Sequence, residues 1–269
     1  MLYSSHLGNM LSRLTGRIVC LPLPIFLRTW VLTRFSTLFG VSIQEAEKPL
    51  TQYASISAFF ARALKPEFRP IAHESVVCPV DGKVQEYGSV LGSKLIQAKG
   101  VFYTLEDLIP TLEAAHFKEG AFITYYLAPK DCHRIFSPVE GVIEGVCHVP
   151  GKLYPVREPH ISGTPGIYTK NERIITILST PKGRVAVVKV GAFNVGTISV
   201  PFDPDIRSNT GKRVLQEKRY PMPIPIKKGE WLGTFHLGST VILVFEKDML
   251  LPKWDYGAVQ YGQAIGEFR

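Results

Sequence analysis

The 269-residue chain is 45% hydrophobic and carries 31 Lys and Arg against 23 Asp and Glu, a formal net charge of +8. This is ample for one large domain or two small ones, and the basic surplus suits an anionic partner (anionic lipid, nucleic acid or a phosphorylated group) or solubility alone. Its four cysteines, Cys20, Cys78, Cys132 and Cys147, lack CxxC spacing, which argues against a zinc site or a disulfide framework and fits a reducing compartment, so no metal is expected.

Residues 1–44 hold Arg13, Arg17, Arg28 and Arg34 and no acidic residue. Leu7, Leu11, Leu14 and Ile18 recur at helical spacing, as do Leu27, Val31, Phe35, Leu38 and Phe39, with Trp30 nearby. Pro22 and Pro24 separate the two stretches, and Pro24 suits the start of the second helix. The uncharged run 18–27 is interrupted by both prolines and falls far short of the roughly 20 apolar residues of a membrane span. A small-residue cleavage site of the kind that ends a secretory signal is also missing. Two amphipathic helices with Arg on one face and Trp, Phe and Leu on the other suit the surface of an anionic bilayer; packing on the protein's own core is the alternative. Nucleic acid is not expected, because the basic residues do not interleave with stacking aromatics in a known module.

Residues 55–64 predict a short helix stopped before Pro66, and residues 104–112 another, capped by Thr104 with Glu106 and Asp107 in its first turn. From residue 76 onward, short apolar runs punctuated by the chain's 20 Pro and 23 Gly predict strands at 76–78, 83–87, 94–97, 121–127, 139–148, 173–179, 185–190, 197–200, 231–235 and 241–245. The connection at 201–230 has no readable pattern. The expected fold class is α+β: a β-rich catalytic domain at 55–269 behind membrane-associating helices at 1–54.

Leu237-Gly238-Ser239-Thr240 precedes the last of these strands. A Gly-Ser bond can be cut by its own chain. Gly tolerates backbone strain, and the Ser hydroxyl can attack the preceding carbonyl and turn an amide into an ester. Elimination and loss of ammonia would leave a pyruvoyl group, whose carbonyl can take a substrate amine and accept electrons as pyridoxal phosphate does. Alone, the tetrapeptide reads more readily as a turn leading into the strand at 241–245.

Four other segments stand in order with it: Cys78-Pro79-Val80-Asp81-Gly82-Lys83-Val84, Ile96-Gln97-Ala98-Lys99-Gly100, Tyr126-Leu127-Ala128-Pro129-Lys130-Asp131-Cys132-His133-Arg134 and Asn171-Glu172-Arg173. In order and spacing the set resembles the bacterial phosphatidylserine decarboxylases over nearly the whole chain, and Phe59-Phe60-Ala61-Arg62 with Arg69-Pro70 extends the likeness. The resemblance implies a proenzyme that cleaves itself between Gly238 and Ser239 into a β chain, 1–238, and an α chain, 239–269, with Ser239 converted to a covalent pyruvoyl (pyruvate) cofactor. It implies decarboxylation of phosphatidylserine to phosphatidylethanolamine on the cytoplasmic side of a membrane, as a peripheral protein; a homodimer is left open. Asp81 and a His are expected to act with Ser239 as a protease-like triad, although Asp81-Gly82 also reads as a plain turn between strands.

The His is the point of departure. His133 matches the first of two motif histidines, and Phe136 stands where many members carry the second. Three outcomes follow: His133 serves both cleavage and decarboxylation, His236 acts as a local base, or the chain is an uncleaved, impaired lipid-binding relative. A pyruvoyl decarboxylase of a soluble amino acid and an ordinary serine hydrolase are weaker readings, the last because Ser239 lacks a nucleophile elbow.

Overall fold

The computed structural model describes residues 18–98, 100–157, 160–193, 197–211, 213–236 and 239–269. The first expected N-terminal helix, with Arg13 and Arg17, lies outside these residues apart from a helical end at 18–20. Leu237 and Gly238 also lie outside them.

The strands are β1 (Val76–Val77), β2 (Gly82–Ser89), β3 (Lys94–Ala98), β4 (Val101–Thr104), β5 (Ala121–Leu127), β6 (Arg134–Phe136), β7 (Gly141–Val149), β8 (Arg173–Thr180), β9 (Gly183–Gly191), β10 (Ile198–Ser199), β11 (Gln216–Ile226), β12 (Trp231–Phe235), β13 (Ser239–Phe245), β14 (Leu250–Pro252), β15 (Gly257–Val259) and β16 (Ala264–Phe268). Eight of them form one antiparallel sheet in the order β11-β7-β8-β9-β13-β5-β2-β15. Its middle is built from β-branched runs such as Arg-Ile-Ile-Thr-Ile-Leu and Thr-Val-Ile-Leu-Val-Phe. These runs do not alternate with polar residues because both faces of the sheet are covered. Residues directly opposite in register share a face, so Lys189, Val241 and Tyr125 point one way and Val190, Thr240 and Tyr126 the other. A three-stranded sheet, β10-β12-β6, lies over the first face: a Cβ added to Gly233 of β12 would sit 3.0 Å from Cε of Lys189. The β3–β4 hairpin and short helices cover the second, where Tyr103 packs edge-on to Tyr168 and Arg173 reaches the carbonyl of Leu108.

The β-rich α+β expectation holds, and strands Ala121–Leu127 and Trp231–Phe235 fall where the sequence predicts them. The helices are shorter than expected. Helix α2 runs only Ile56–Phe60, and α3 only Leu105–Leu108, with Thr104 accepting from the Asp107 amide at 3.1 Å. Pro110 stops α3, since the residue before a proline is pushed out of helical geometry. The unreadable stretch holds β11, an edge strand containing Pro221, Pro223 and Pro225 whose register with β7 slips between Arg219 and Ile224. Prolines remove ladder donors and are tolerated at an edge or bulge, so they disguise a strand in sequence.

Helix α1 (Ile25–Phe39) packs through Leu32 and Ser36 into a small core with Val41, Ala46, Leu50, Tyr53 and Phe59. The inward side differs from the expected apolar stripe. Arg28 turns toward the body and donates to the carbonyls of Leu23 and Thr51, both at 3.0 Å, whereas Phe26 and Trp30 are 82% and 62% exposed.

Candidate active site

Ser239 is the first residue of β13, the fifth of eight strands across the large sheet. It pairs with Leu127 of β5 on one side and Gly191 of β9 on the other. The chain then leaves β5 through Ala128–Arg134 to enter β6, so a single contiguous motif supplies both the residue opposite Ser239 and His133. The carbonyl of His133 accepts the amide of Phe235 at 2.9 Å, tying the motif to the strand that leads toward Ser239.

His133 is fully buried, its ring centroid 3.9 Å from that of Phe60. Nδ1 lies 2.9 Å from the carbonyl oxygen of Asp131. A carbonyl only accepts, so Nδ1 carries the hydrogen and Nε2 carries a lone pair. Nε2 has no hydrogen-bond partner among the described residues. Burial pushes the ring pKa down to about 3, with Arg62 adding to the effect, so the imidazole is neutral at physiological pH. Asp131 braces this loop: its Oδ2 accepts the amide of Ala128 at 2.7 Å. Burial raises its carboxyl above the ordinary Asp range, and the charge of Asp81 works in the same direction.

Asp81 differs from the solvent-facing turn residue that its Asp-Gly pair suggests. It is 4% exposed, with Oδ1 3.0 Å from Arg69 Nε and Oδ2 2.7 Å from Nη2. Oδ1 also accepts the amide of Tyr261 at 3.0 Å. Arg69 Nη2 in turn reaches Glu45 Oε2 at 2.8 Å. Gly82 opens β2 rather than completing a turn, and it must be glycine because a Cβ there would lie 2.4 Å from the Tyr126 carbonyl oxygen. Among the described residues no hydrogen bond joins Asp81 to His133. The position that approaches Asp81 is Phe136. Its amide donates to Pro79 at 2.8 Å, and its ring stacks at 3.9 Å on Tyr261, whose amide holds Asp81. A histidine in that position would stand beside the Asp81 loop; phenylalanine can only pack there. His236 places Nε2 3.1 Å from Ser199 Oγ and its amide on the Thr197 carbonyl, and burial lowers its pKa, helped by Arg207.

The other motif residues are architectural. Asn171 clamps residue 154 through its amide and carbonyl and also donates to the Gly191 carbonyl. Glu172 lies 2.7 Å from His148 Nε2 and accepts the Asn209 amide. Arg173, almost wholly buried, gives its donors to the carbonyls of Leu108, Thr169, Asn171 and Asp107. Gln97 holds the carbonyls of Ile161 and Thr164 and the amide of Ile167.

Two features escaped the sequence reading. Lys189 is fully buried in β9, donates to Thr176 Oγ1 at 2.6 Å, and has its pKa lowered to about 7 by burial. The only hint is a lone Lys inside the apolar run Val-Ala-Val-Val-Lys-Val. The second is a cavity of about 450 Å3 between the N-terminal segment and the end of β5, lined by residues that include Arg62, Asp81, Lys83, Tyr126, Lys130 and Asp131. No cluster of His, Cys, Asp and Glu among the described residues could hold a metal ion.

A buried, singly protonated imidazole beside the end of a central strand, with a polar cavity one strand away, is the setting of an enzyme site. The comparisons with known proteins show the family. The phosphatidylserine decarboxylase family profile matches residues 56–267. The chain is 41% identical over 265 residues to the phosphatidylserine decarboxylase proenzyme of Anaeromyxobacter sp. (strain K), covering 96% of this chain and 94% of that one. The proenzyme of Myxococcus xanthus (strain DK1622) is 37% identical, with 95% and 93% covered. That of Coxiella burnetii (strain Dugway 5J108-111) is 36% identical, with 89% and 88% covered. The chain belongs to the phosphatidylserine decarboxylase family, a family of decarboxylating enzymes.

Proposed function

We propose that this chain is a proenzyme that cuts itself between Gly238 and Ser239, converts Ser239 to a pyruvoyl group, and decarboxylates phosphatidylserine to phosphatidylethanolamine and carbon dioxide. The observation that carries the reading is the position of Ser239 at the head of a strand held on both sides. A cut before it leaves the pairing of Thr240–Phe245 with β5 and β9 in place. The α chain would remain bound through β13, and through β15 on β2 and β16 on β1.

In processing, the Ser239 hydroxyl attacks the Gly238 carbonyl and the acyl group passes from nitrogen to oxygen. Elimination then frees the Gly238 carboxylate, and hydrolysis releases ammonia. A base must take the hydroxyl proton, and His133 Nε2 is the free lone pair available. The Asp131 carbonyl keeps the proton on Nδ1 and so keeps Nε2 basic. A pKa of about 3 describes the ring with no anion nearby; a carboxylate brought beside it raises that value. Once formed, the pyruvoyl carbonyl supplies the electron sink for decarboxylation. The residues fit such a group: the strand head pairs with a strand on each side, and a buried imidazole stands on the loop that follows β5. His133 Nε2 first takes a proton released by the substrate's ammonium group and then returns it to the carbon that has lost the carboxyl.

Asp81 acts from a distance in this reading, anchoring the loop that carries Tyr261. The protein docks peripherally on the cytoplasmic face of an anionic membrane. What supports docking is the outward Ile25, Phe26, Trp30 and Leu38 of α1. Among the described residues no helix is long and apolar enough to cross a membrane.

Mass spectrometry of the purified chain tests the core of the proposal. Fragments ending at 238 and beginning at 239, the second with a blocked, hydroxylamine-reactive N-terminus, are expected, and Ser239→Ala should stay in one piece. A wild-type chain that remains intact with phosphatidylserine vesicles would instead favour the uncleaved lipid-binding alternative. Phe136→His should speed cleavage if position 136 is where a second base belongs. Arrest by His236→Ala with normal cleavage in His133→Ala would reassign the base.

A further inference from the structure

The cavity beside Asp81 has an excess of unpaired cations. Arg69 is shared by Asp81 and Glu45, which accounts for those three charges. Lys83 and Lys130 are exposed and make no ion pair among the described residues. Asp131 is the one remaining carboxylate on the wall.

Arg62 is the more telling group. It is 3% exposed, and Nη2 donates to the Lys130 carbonyl at 2.9 Å. Among the described residues its Nε and Nη1 are buried with no hydrogen-bond partner, and the guanidinium carbon lies over the Phe59 ring, 5.4 Å from its centroid. Leaving guanidinium donors dry and unpaired is costly, and burial lowers the pKa of this arginine. No carboxylate sits against it within ion-pairing distance among the described residues. A buried guanidinium without an anion, on the wall of a cavity rimmed by two free lysines, is a site built for an anion that arrives from outside.

The cavity's position narrows the ligand. Its wall includes Tyr126 and Ala128, which flank the Leu127 that pairs with Ser239. One strand spacing, about 4.8 Å, separates the backbones of β5 and β13 at this point, and the wall extends from β5 onto β2 and β15. The wall also includes Gly40 and Ser42, at and just past the cap of α1. A ligand with its apolar part along α1 and its reacting end at residue 239 would place its middle here.

We infer that Arg62, Lys83 and Lys130 form an anion subsite that takes the phosphodiester of the phospholipid headgroup. The inference deepens the proposed function and rests on it for the identity of the ligand. Arg62 carries the two unpaired donors, which reach the phosphodiester when its guanidinium turns toward the cavity, the lysines draw the phosphodiester in, and Asp131 disfavours a second anion.

The test uses the uncleaved full-length Ser239→Ala protein, so binding is read without turnover. Calorimetric titration with glycerophosphoserine is the probe, with free serine and inorganic phosphate as comparison ligands. Glycerophosphoserine should bind and free serine should not. Lys83→Gln with Lys130→Gln should weaken binding by about tenfold or more, as expected for lost charge-assisted hydrogen bonds. Arg62→Met should abolish it, with Arg62→Lys recovering part. Because the Arg62 variants could fail to fold, the paired lysine variant decides the matter. Unchanged affinity in that variant overturns the subsite, and inorganic phosphate binding as tightly as glycerophosphoserine overturns its assignment to the headgroup. Wild-type cleavage and decarboxylation are scored separately: their failure alongside lysine-dependent binding would remove the catalytic reading and leave the anion subsite standing.

Discussion

The large sheet and the N-terminal segment use apolar residues in opposite ways. In β13 and β9 nearly every apolar side chain is buried on both faces, whereas α1 buries Leu32 and Ser36 and turns Phe26, Trp30 and Leu38 outward. Hydrophobicity stabilises the first region and leaves the second with an unpaired surface. The two meet at Arg69, which grips Asp81 at the edge of the sheet and Glu45 from the N-terminal segment. Core and docking surface are thus different uses of the same residue types, separated by whether a second layer covers them.

The largest effect should come from breaking the joint. Asp81→Asn leaves Arg69 buried with a weakened partner, and removing one member of a buried pair costs about 3–5 kcal/mol. Urea unfolding should show it, together with easier proteolysis before residue 65. An unchanged midpoint would mean that Glu45 alone satisfies Arg69.

Leu243→Ala in the middle of β13 should cost about 2–5 kcal/mol, the usual range for a large-to-small change in a packed core. The α chain of a processed sample should also separate more readily in denaturant. A loss below that range would show that the sheet can collapse around the cavity.

Lys189 gives a change of opposite sign. Its folded pKa, lowered to about 7, lies below the ordinary 10.5, so between those values the native state holds fewer protons than the unfolded chain. Stability therefore rises with pH across that window. Lys189→Met should flatten the rise and raise the unfolding midpoint at pH 7, because an apolar chain of similar length replaces an amine that has no carboxylate partner among the described residues. His133, lowered to about 3, gives a matching rise between about 3 and 6.5. A flat wild-type profile above pH 7 would show that the amine is hydrated.

The smallest stability effect belongs to the other region. Trp30→Ala should shift unfolding by no more than about 0.5 kcal/mol, as exposed sites do, while weakening sedimentation with anionic vesicles. Raised salt should weaken binding of the full chain as well. Vesicle binding that ignores both would remove the membrane from the role of α1.

Ordered motifs and β-branched runs were enough to read the family and the central strands, because each depends on neighbours in the chain. The Thr104 cap and the strand at 121–127 are local in the same sense. The surroundings of each polar group were not legible. Nothing near Asp81 in sequence announces Arg69 or Tyr261, and nothing near His133 announces that Asp131 offers its carbonyl rather than its carboxylate. The burial of Lys189 and the unpaired donors of Arg62 likewise depend on segments that arrive from far along the chain. Local chemistry follows from covalent order, whereas protonation state, desolvation and pairing depend on what folding packs against each group, and that was decided by tertiary structure alone.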